Sequence, residues 1–283
     1  MSRPRLFVHH DGRRGEVLLC RPLVAAIAAH GTDVVVGTCR GDGELFAGLG
    51  PRVEVREARL ANTPWGAPVS LSHLADRGAP VVGLWAGGAD RIPTNQWADL
   101  VASFQVACRR AGVDVPLGDT EAVPMLDFAS PQTAVRPLPA RSLYLDLQRS
   151  IEPACGFDFD VIRLRRALPE HTLLVTTSLA STSDAGVAGV VDVSAWTWAQ
   201  RSLASERCEL LVGCTLDPFV LTLTTANRHK PKALCGYDAR VVAPFWDYPG
   251  NPMELLASMD ELVDFCVANA RVAAPLATAE VGA

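Results

Sequence analysis

Residues 7–23 read Phe7-Val8-His9-His10-Asp11-Gly12-Arg13-Arg14-Gly15-Glu16-Val17-Leu18-Leu19-Cys20-Arg21-Pro22-Leu23. A carboxylate in such a turn can take the proton of a hydroxyl as that hydroxyl attacks an electrophilic carbon, which is general-base work. Glu16 is the first candidate and Asp11 the second. At the start of a helix the dipole stabilises the charged form of Glu16. The same residue reads as a first-turn acid that steadies the helix. His9, His10 and Asp11 make a polar cluster at a strand end, a place suited to ligand contact. Arg13 and Arg14 either meet an anionic group or sit in a solvated turn. Gly12 and Gly15 lie in the same turn, and a glycine there lets the backbone approach a ligand closely.

A second set of able residues follows later strand-like runs. In Gln148-Arg149-Ser150, Arg149 either binds a phosphate, with Ser150 beside it, or lies on the surface. Thr176-Thr177-Ser178 either contacts ribose or phosphate through Thr176 and Thr177 or caps the next element. Gly213-Cys214-Thr215-Leu216-Asp217-Pro218 leads into a helix-like stretch. Asp217 reads as an N-cap with Pro218 at the first helical position. Backbone N–H groups at such a helix start are suited to phosphate. In Gly236-Tyr237-Asp238, Tyr237 either stacks on a nucleobase or packs at an interface. Lys230 and Lys232 read as loop cations, and Trp196 and Trp198 as core or interface residues. The first turn has neither Gly-x-Gly-x-x-Gly nor Gly-x-x-x-x-Gly-Lys-Ser/Thr, which counts against dinucleotide and P-loop chemistry.

The elements that must position these residues alternate between strand and helix. Apolar runs predict strands at 6–8, 33–37, 53–55 and 80–85. Helical spacing predicts helices over 17–29, 43–49 and 95–111, the last closed by Gly112. Residues 129–140 hold three prolines and no periodic pattern, and read as a linker. A second series follows, with strands at 142–147, 171–177, 190–193, 209–213 and 232–235. Its helices are predicted at 159–167, 196–205, 217–226 and 252–269. Alternating βα order argues for parallel sheets with helices on both faces. The division expected is 1–135 and 136–283. Two such domains bind ligands in the cleft between them, outside the carboxyl ends of the strands.

Composition narrows the classes. The chain has 283 residues, 49% hydrophobic and 20% charged, and a mean hydropathy of +0.17, which excludes a disordered chain. A net charge of -5 argues against nucleic acid as a partner. The eight cysteines show no zinc-ligand spacing and read as buried reduced thiols. No apolar run approaches the ~18 residues of a membrane span, and no signal peptide is read at the amino terminus. The expectation is a cytoplasmic protein without a membrane span.

Gly15-Glu16-Val17-Leu18-Leu19 followed by Pro22-Leu23, directly after the first strand, resembles the amino terminus of the ADP-heptose:lipopolysaccharide heptosyltransferase family. The resemblance implies a GT-B-like α/β fold: two Rossmann-like parallel-sheet domains with an interdomain cleft, acceptor on the first and nucleotide-sugar on the second. It implies a metal-independent inverting glycosyltransferase that uses no cofactor. Such an enzyme moves a sugar from a nucleoside diphosphate donor to a hydroxyl of a glycan or small-molecule acceptor. The family's catalytic base falls at Glu16, with one methylene more than the family's Asp. Acceptor-side turn residues would be His10, Gly12, Arg14 and Gly15. Donor contacts would be Arg149, Ser150, Thr176, Thr177, Thr215, Asp217, Pro218 and Tyr237. Residues 209–220 match the family's donor loop in outline. They depart from it where Asp217 replaces its Gly and Cys214 its leading Asp. These departures keep two other readings open, a non-catalytic GT-B-like binding or scaffold protein and a sugar-nucleotide epimerase of the same architecture.

Overall fold

The computed structural model describes residues 5–63, 66–83, 97–114, 125–130, 133–147, 157–176, 187–214, 219–236 and 253–270. The first half builds a four-stranded sheet from β1 (Leu6–His9), β2 (Val34–Arg40), β3 (Val53–Ala61) and β4 (Val81–Gly83). Every pairing is parallel and the spatial order is β3-β2-β1-β4. The second half builds a six-stranded parallel sheet from β5 (Ser142–Asp146), β6 (Thr172–Val175), β7 (Val190–Asp192), β8 (Leu210–Gly213), β9 (Lys232–Cys235) and β10 (Glu254–Leu256). Its order is β10-β9-β8-β5-β6-β7. Strand order reverses between β1 and β4 in one sheet and between β5 and β8 in the other. Ligands of open parallel sheets sit outside the carboxyl ends of strands at such reversals.

Strands buried on both faces read as continuous apolar runs, and β1, β5, β8 and β9 are buried at every position. Period-two alternation still sorts the second sheet. Leu143, Leu145, Leu173, Val175 and Val212 face α4 (Val161–Ala167) and α6 (Met259–Ala270). Tyr144, Leu174, Leu211 and Leu234 face the other way, towards α5 (Trp198–Ser205). That second face belongs to an apolar cluster that runs on into the first half. There it takes in Leu6 and Val8 of β1 and the buried faces of α1 (Arg14–Leu19), α2 (Arg21–Ala29) and α3 (Trp97–Arg110). The seven cysteines among the described residues are buried and form no disulfide; Cys155 lies outside them.

The structure departs from the sequence expectation at several places, and the helix expected over 43–49 is a short 3-10 turn, Gly43–Phe46. The helix expected over 17–29 is two helices, α1 and α2, that break at Cys20. Pro22 has no N–H to continue the ladder and stands in the first turn of α2 instead. The helix expected over 217–226 is divided into short 3-10 turns, Val220–Thr222 and Thr225–Asn227, separated by extended Thr224. Threonine hydroxyls compete with the helical ladder, and Thr222 Oγ1 donates to Phe219 O at 2.8 Å. The start of the helix expected over 252–269 is the strand β10, which pairs with β9. Ser258 then caps α6, its Oγ accepting from Glu261 N–H at 3.2 Å. Lys232 begins β9 where the sequence placed the last strand, but it is buried and not a loop cation, with Nζ donating to Arg228 O and Lys230 O. Burial pushes its pKa down to about 7, and the neighbouring Lys230 adds to the shift.

Leu18 is fully buried in the cluster shared by the two halves. Leu18→Ala is expected to lower unfolding free energy by about 2–5 kcal/mol, read as a lower urea midpoint with little change in slope.

Candidate active site

The turn after β1 is a packed polar cluster. His9 Nδ1 and Asp11 Oδ1 are 2.7 Å apart, and each residue is 3% exposed. Asp11 Oδ1 also accepts from Leu71 N–H at 3.4 Å, and its backbone carbonyl accepts from Ala67 N–H at 2.7 Å. Gly12 N–H donates to His10 Nδ1 at 2.9 Å, which assigns the proton of neutral His10 to Nε2. Burial pushes the His10 pKa down to about 4; Asp11 opposes this and His9 adds to it.

Three glycines from separate segments close on this cluster. A Cβ at Gly12 would lie 2.2 Å from Glu16 Oε2 and 2.3 Å from His10 Cε1. One at Gly66 would lie 2.4 Å from Asp11 O, and one at Gly83 would lie 2.6 Å from His9 Nε2. No side chain fits at these positions without moving the cluster. Gly83 pairs with His9 across the β1/β4 reversal.

Glu16 is half-buried at the head of α1. Its Oε2 accepts from the N–H of Arg13, the N-cap residue, at 2.8 Å. The acid therefore satisfies a helix-start donor while lying beside the His10 ring across Gly12. Gly15, in the first turn, is buried. Arg14, expected to meet a ligand anion, has its guanidinium engaged inside the protein. It pairs with Asp42 and lies 3.6 Å from Glu44, with its Cζ 5.2 Å from the Trp198 ring centroid. Glu44 Oε1 accepts from Trp198 N–H at 2.9 Å, so an acid of the first half caps α5 of the second. Asn62 completes the assembly, donating through Nδ2 to Gly12 O at 3.2 Å and Asp42 Oδ2 at 3.1 Å.

The head of α1 thus faces the second sheet's carboxyl edge. α1 packs on the 3-10 turn Val220–Thr222, and α5 packs on Gly43–Phe46. At that edge Asp146, the last residue of β5, is fully buried and pairs with Gly213 of β8. Asp146 Oδ1 accepts from Thr176 Oγ1 at 2.8 Å, and Oδ2 accepts from Tyr144 Oη at 3.4 Å. Thr176 Oγ1 accepts in turn from Leu147 N–H at 3.1 Å. Thr176, expected at the donor, therefore spends both sides of its hydroxyl on the strand ends. Arg149, Ser150, Thr177, Thr215, Asp217, Pro218 and Tyr237 lie outside the described residues.

Sequence reasoning did not find Asp42, Glu44 and Asn62. Asp42 and Glu44 flank the start of a short turn, and Asn62 follows β3; none stands in a recognisable motif. A cavity of about 370 Å³ lined by Arg141, Leu168 and His171 opens near the amino ends of β5 and β6, the edge away from this cluster. Among the described residues no helix is long and apolar enough to cross a membrane.

No family model matches the sequence, and no curated protein matches it. Solved structures do resemble the fold. A family 9 glycosyl transferase from Veillonella parvula superposes with a TM-score of 0.53 at 10% identity, covering 94% of this chain and 88% of that one. The ADP-heptose lipopolysaccharide heptosyltransferase II of E. coli gives 0.52 at 11% identity, covering 94% and 98%. The iron-containing dodecameric glycosyltransferase TibC of enterotoxigenic E. coli gives 0.47 at 16% identity, covering 82% of this chain and 58% of that one. The chain has the α/β fold, with two parallel sheets, of the two glycosyltransferases that superpose with TM-scores above 0.5.

Two outcomes check the geometry of this turn. Glu16→Ala is expected to cost on the order of 1 kcal/mol of stability through the lost cap, and Glu16→Gln less, by chemical denaturation. The depressed His10 pKa means that the unfolded chain binds a proton the folded ring refuses. Stability is therefore expected to fall as pH drops from 6.5 towards about 4. In His10→Asn that part of the pH dependence is lost.

Proposed function

We propose that the protein is a metal-independent, inverting glycosyltransferase that moves a sugar from a nucleoside diphosphate donor to an acceptor hydroxyl. The carrying observation is the placement of the 9–16 turn. It stands at the strand-order reversal of the first sheet and faces, through α1, the carboxyl edge of the second. The fold shared with two glycosyltransferases at TM-scores above 0.5 supports the same reading.

In this reading residues 1–135 carry the acceptor and 136–283 the donor. The donor diphosphate lies along the loops that follow β5, β6 and β8, against backbone N–H groups that offset its growing charge as it leaves. In the sequence Thr215, Asp217 and Pro218 follow β8, Arg149 and Ser150 follow β5, Thr177 follows β6 and Tyr237 follows β9, and on this reading they supply the donor contacts. The acceptor lies beside the 9–16 turn, on this reading next to His10, Gly12, Arg14 and Gly15. The proton acceptor comes from the same turn, whose carboxylates are Glu16 and Asp11. No cofactor takes part.

Thermal unfolding with ADP, UDP, GDP and their sugars tests donor binding. A nucleotide at 100 times its Kd is expected to add about 2.7 kcal/mol of stability, and one base is expected to stand out. Slow release of nucleoside diphosphate from the matching sugar nucleotide is expected alongside it. If no nucleotide or sugar nucleotide shifts the transition, the transferase reading fails.

A further inference from the structure

We infer that Asn62 is a positioning residue for the transfer reaction: its amide sets the peptide unit between Gly12 and Arg13, and through it the carboxylate of Glu16; this rests on the transferase reading above. The carbonyl of Gly12 and the N–H of Arg13 belong to one planar unit. Asn62 Nδ2 donates to that carbonyl at 3.2 Å, and Glu16 Oε2 accepts from that N–H at 2.8 Å. The unit is gripped at both edges. It cannot rotate without breaking one grip or moving the Glu16 side chain.

The amide of Asn62 is itself fixed. Its second contact is Asp42 Oδ2, at 3.1 Å. A backbone carbonyl and a carboxylate both accept, so the NH2 end of the amide must face them. Asn62 Oδ1 is buried and has no hydrogen-bond partner among the described residues, so the N–H groups are what this side chain supplies. An aspartate of the same shape would offer neither. Asp42 is 2% exposed and pairs with Arg14, whose guanidinium lies over the Trp198 ring of the second half. Gly12 adds no slack, since a Cβ there would meet Glu16 Oε2 at 2.2 Å and the His10 ring at 2.3 Å. The preceding carbonyl, that of Asp11, accepts from Ala67 N–H at 2.7 Å. Two successive carbonyls of the turn are therefore held by residues that follow β3.

The consequence falls on rate more than on affinity. Of the two carboxylates of the turn, Glu16 is half-buried and Asp11 is 3% exposed. In the reading above, a carboxylate of this turn takes the proton of the acceptor hydroxyl as its oxygen bonds to the anomeric carbon. The bond from that carbon to the diphosphate oxygen breaks, and its electron pair leaves with the diphosphate. Misplacing a reacting group by about 1 Å costs on the order of 10²-fold in rate. Asn62 makes no step itself; it acts by holding Glu16 in place.

Asn62→Asp and Asn62→Ala test the assignment. Turnover is expected to fall by about 10–10²-fold in each, with donor Kd and acceptor KM within about twofold of the wild type. Hydrogen exchange at the Arg13 amide, read by NMR, reports the grip without turnover. It is expected to rise about tenfold or more relative to core amides such as Val35 of β2. Turnover within about twofold of the wild type in the variants overturns the proposal, and so does an Arg13 rate that moves only with the core amides. Donor affinity that falls as far as turnover also overturns it, because a merely structural role lowers both. A wild-type Arg13 amide that exchanges as fast as exposed loop amides sinks it whether or not the variants fold. A wild type with the protected Arg13 amide that binds no sugar nucleotide sinks the transferase reading instead, and the role in transfer with it.

Discussion

The Arg14 guanidinium is held by Asp42 on one side and lies over the Trp198 ring on the other. Asp42 is 2% exposed, and burial raises its pKa while Arg14 opposes the rise. A buried carboxylate is costly without a partner. Arg14 thus cannot leave Asp42 without leaving a charge behind, and while it stays it offers its face to an aromatic ring of the other half. Such a contact is worth about 0.5–2 kcal/mol. Glu44 adds a second crossing by capping α5. Together these contacts fix how the head of α1 meets the second sheet, and so set the width of any crevice at that end.

The two halves solve one problem in the same way. Each sheet reverses its strand order beside its first strand, and at each reversal a residue with a polar side chain pairs with a glycine: His9 with Gly83, and Asp146 with Gly213. Glycine makes room where strand ends must approach ligand or neighbour. At Gly213 the room is taken by Phe219, whose Cγ lies 2.7 Å from where a Cβ would stand. At Gly83 it is taken by His9 Nε2. The carboxylates next to these pairs differ in state. Asp146 accepts from Thr176 and Tyr144 and ties three strand-end residues together. Asp11 lies against one imidazole, and its other oxygen has no partner among the described residues. A satisfied network rigidifies, whereas an incomplete one retains charge to be offset.

Much of this was legible along the chain. Val34-Val35-Val36 and Leu210-Leu211-Val212 are buried on both faces and could be read as parallel strands from composition alone. Gly112 was expected to close α3, and it does so with φ 76°. The cluster of His9, His10 and Asp11 was visible at the end of its strand. The partition of labour within it was not, because nothing in the spacing says that Asp11 turns back to His9 while Glu16 turns back to Arg13. The strand at Glu254–Leu256 was hidden too, since a three-residue edge strand exists only through its pairing with β9.

By itself the sequence determined the βα order, the doubling of the architecture and the turn where polar residues gather, because these follow from local periodicity and from glycine and proline placement. Only the tertiary structure decided which charges are spent. Arg14 and Glu44 reach Trp198 across 184 and 154 positions of chain, and Asn62 reaches back to Gly12 across 50. Such partners are chosen by how the two sheets pack, and burial then makes every unpaired polar atom costly enough that the choice is fixed.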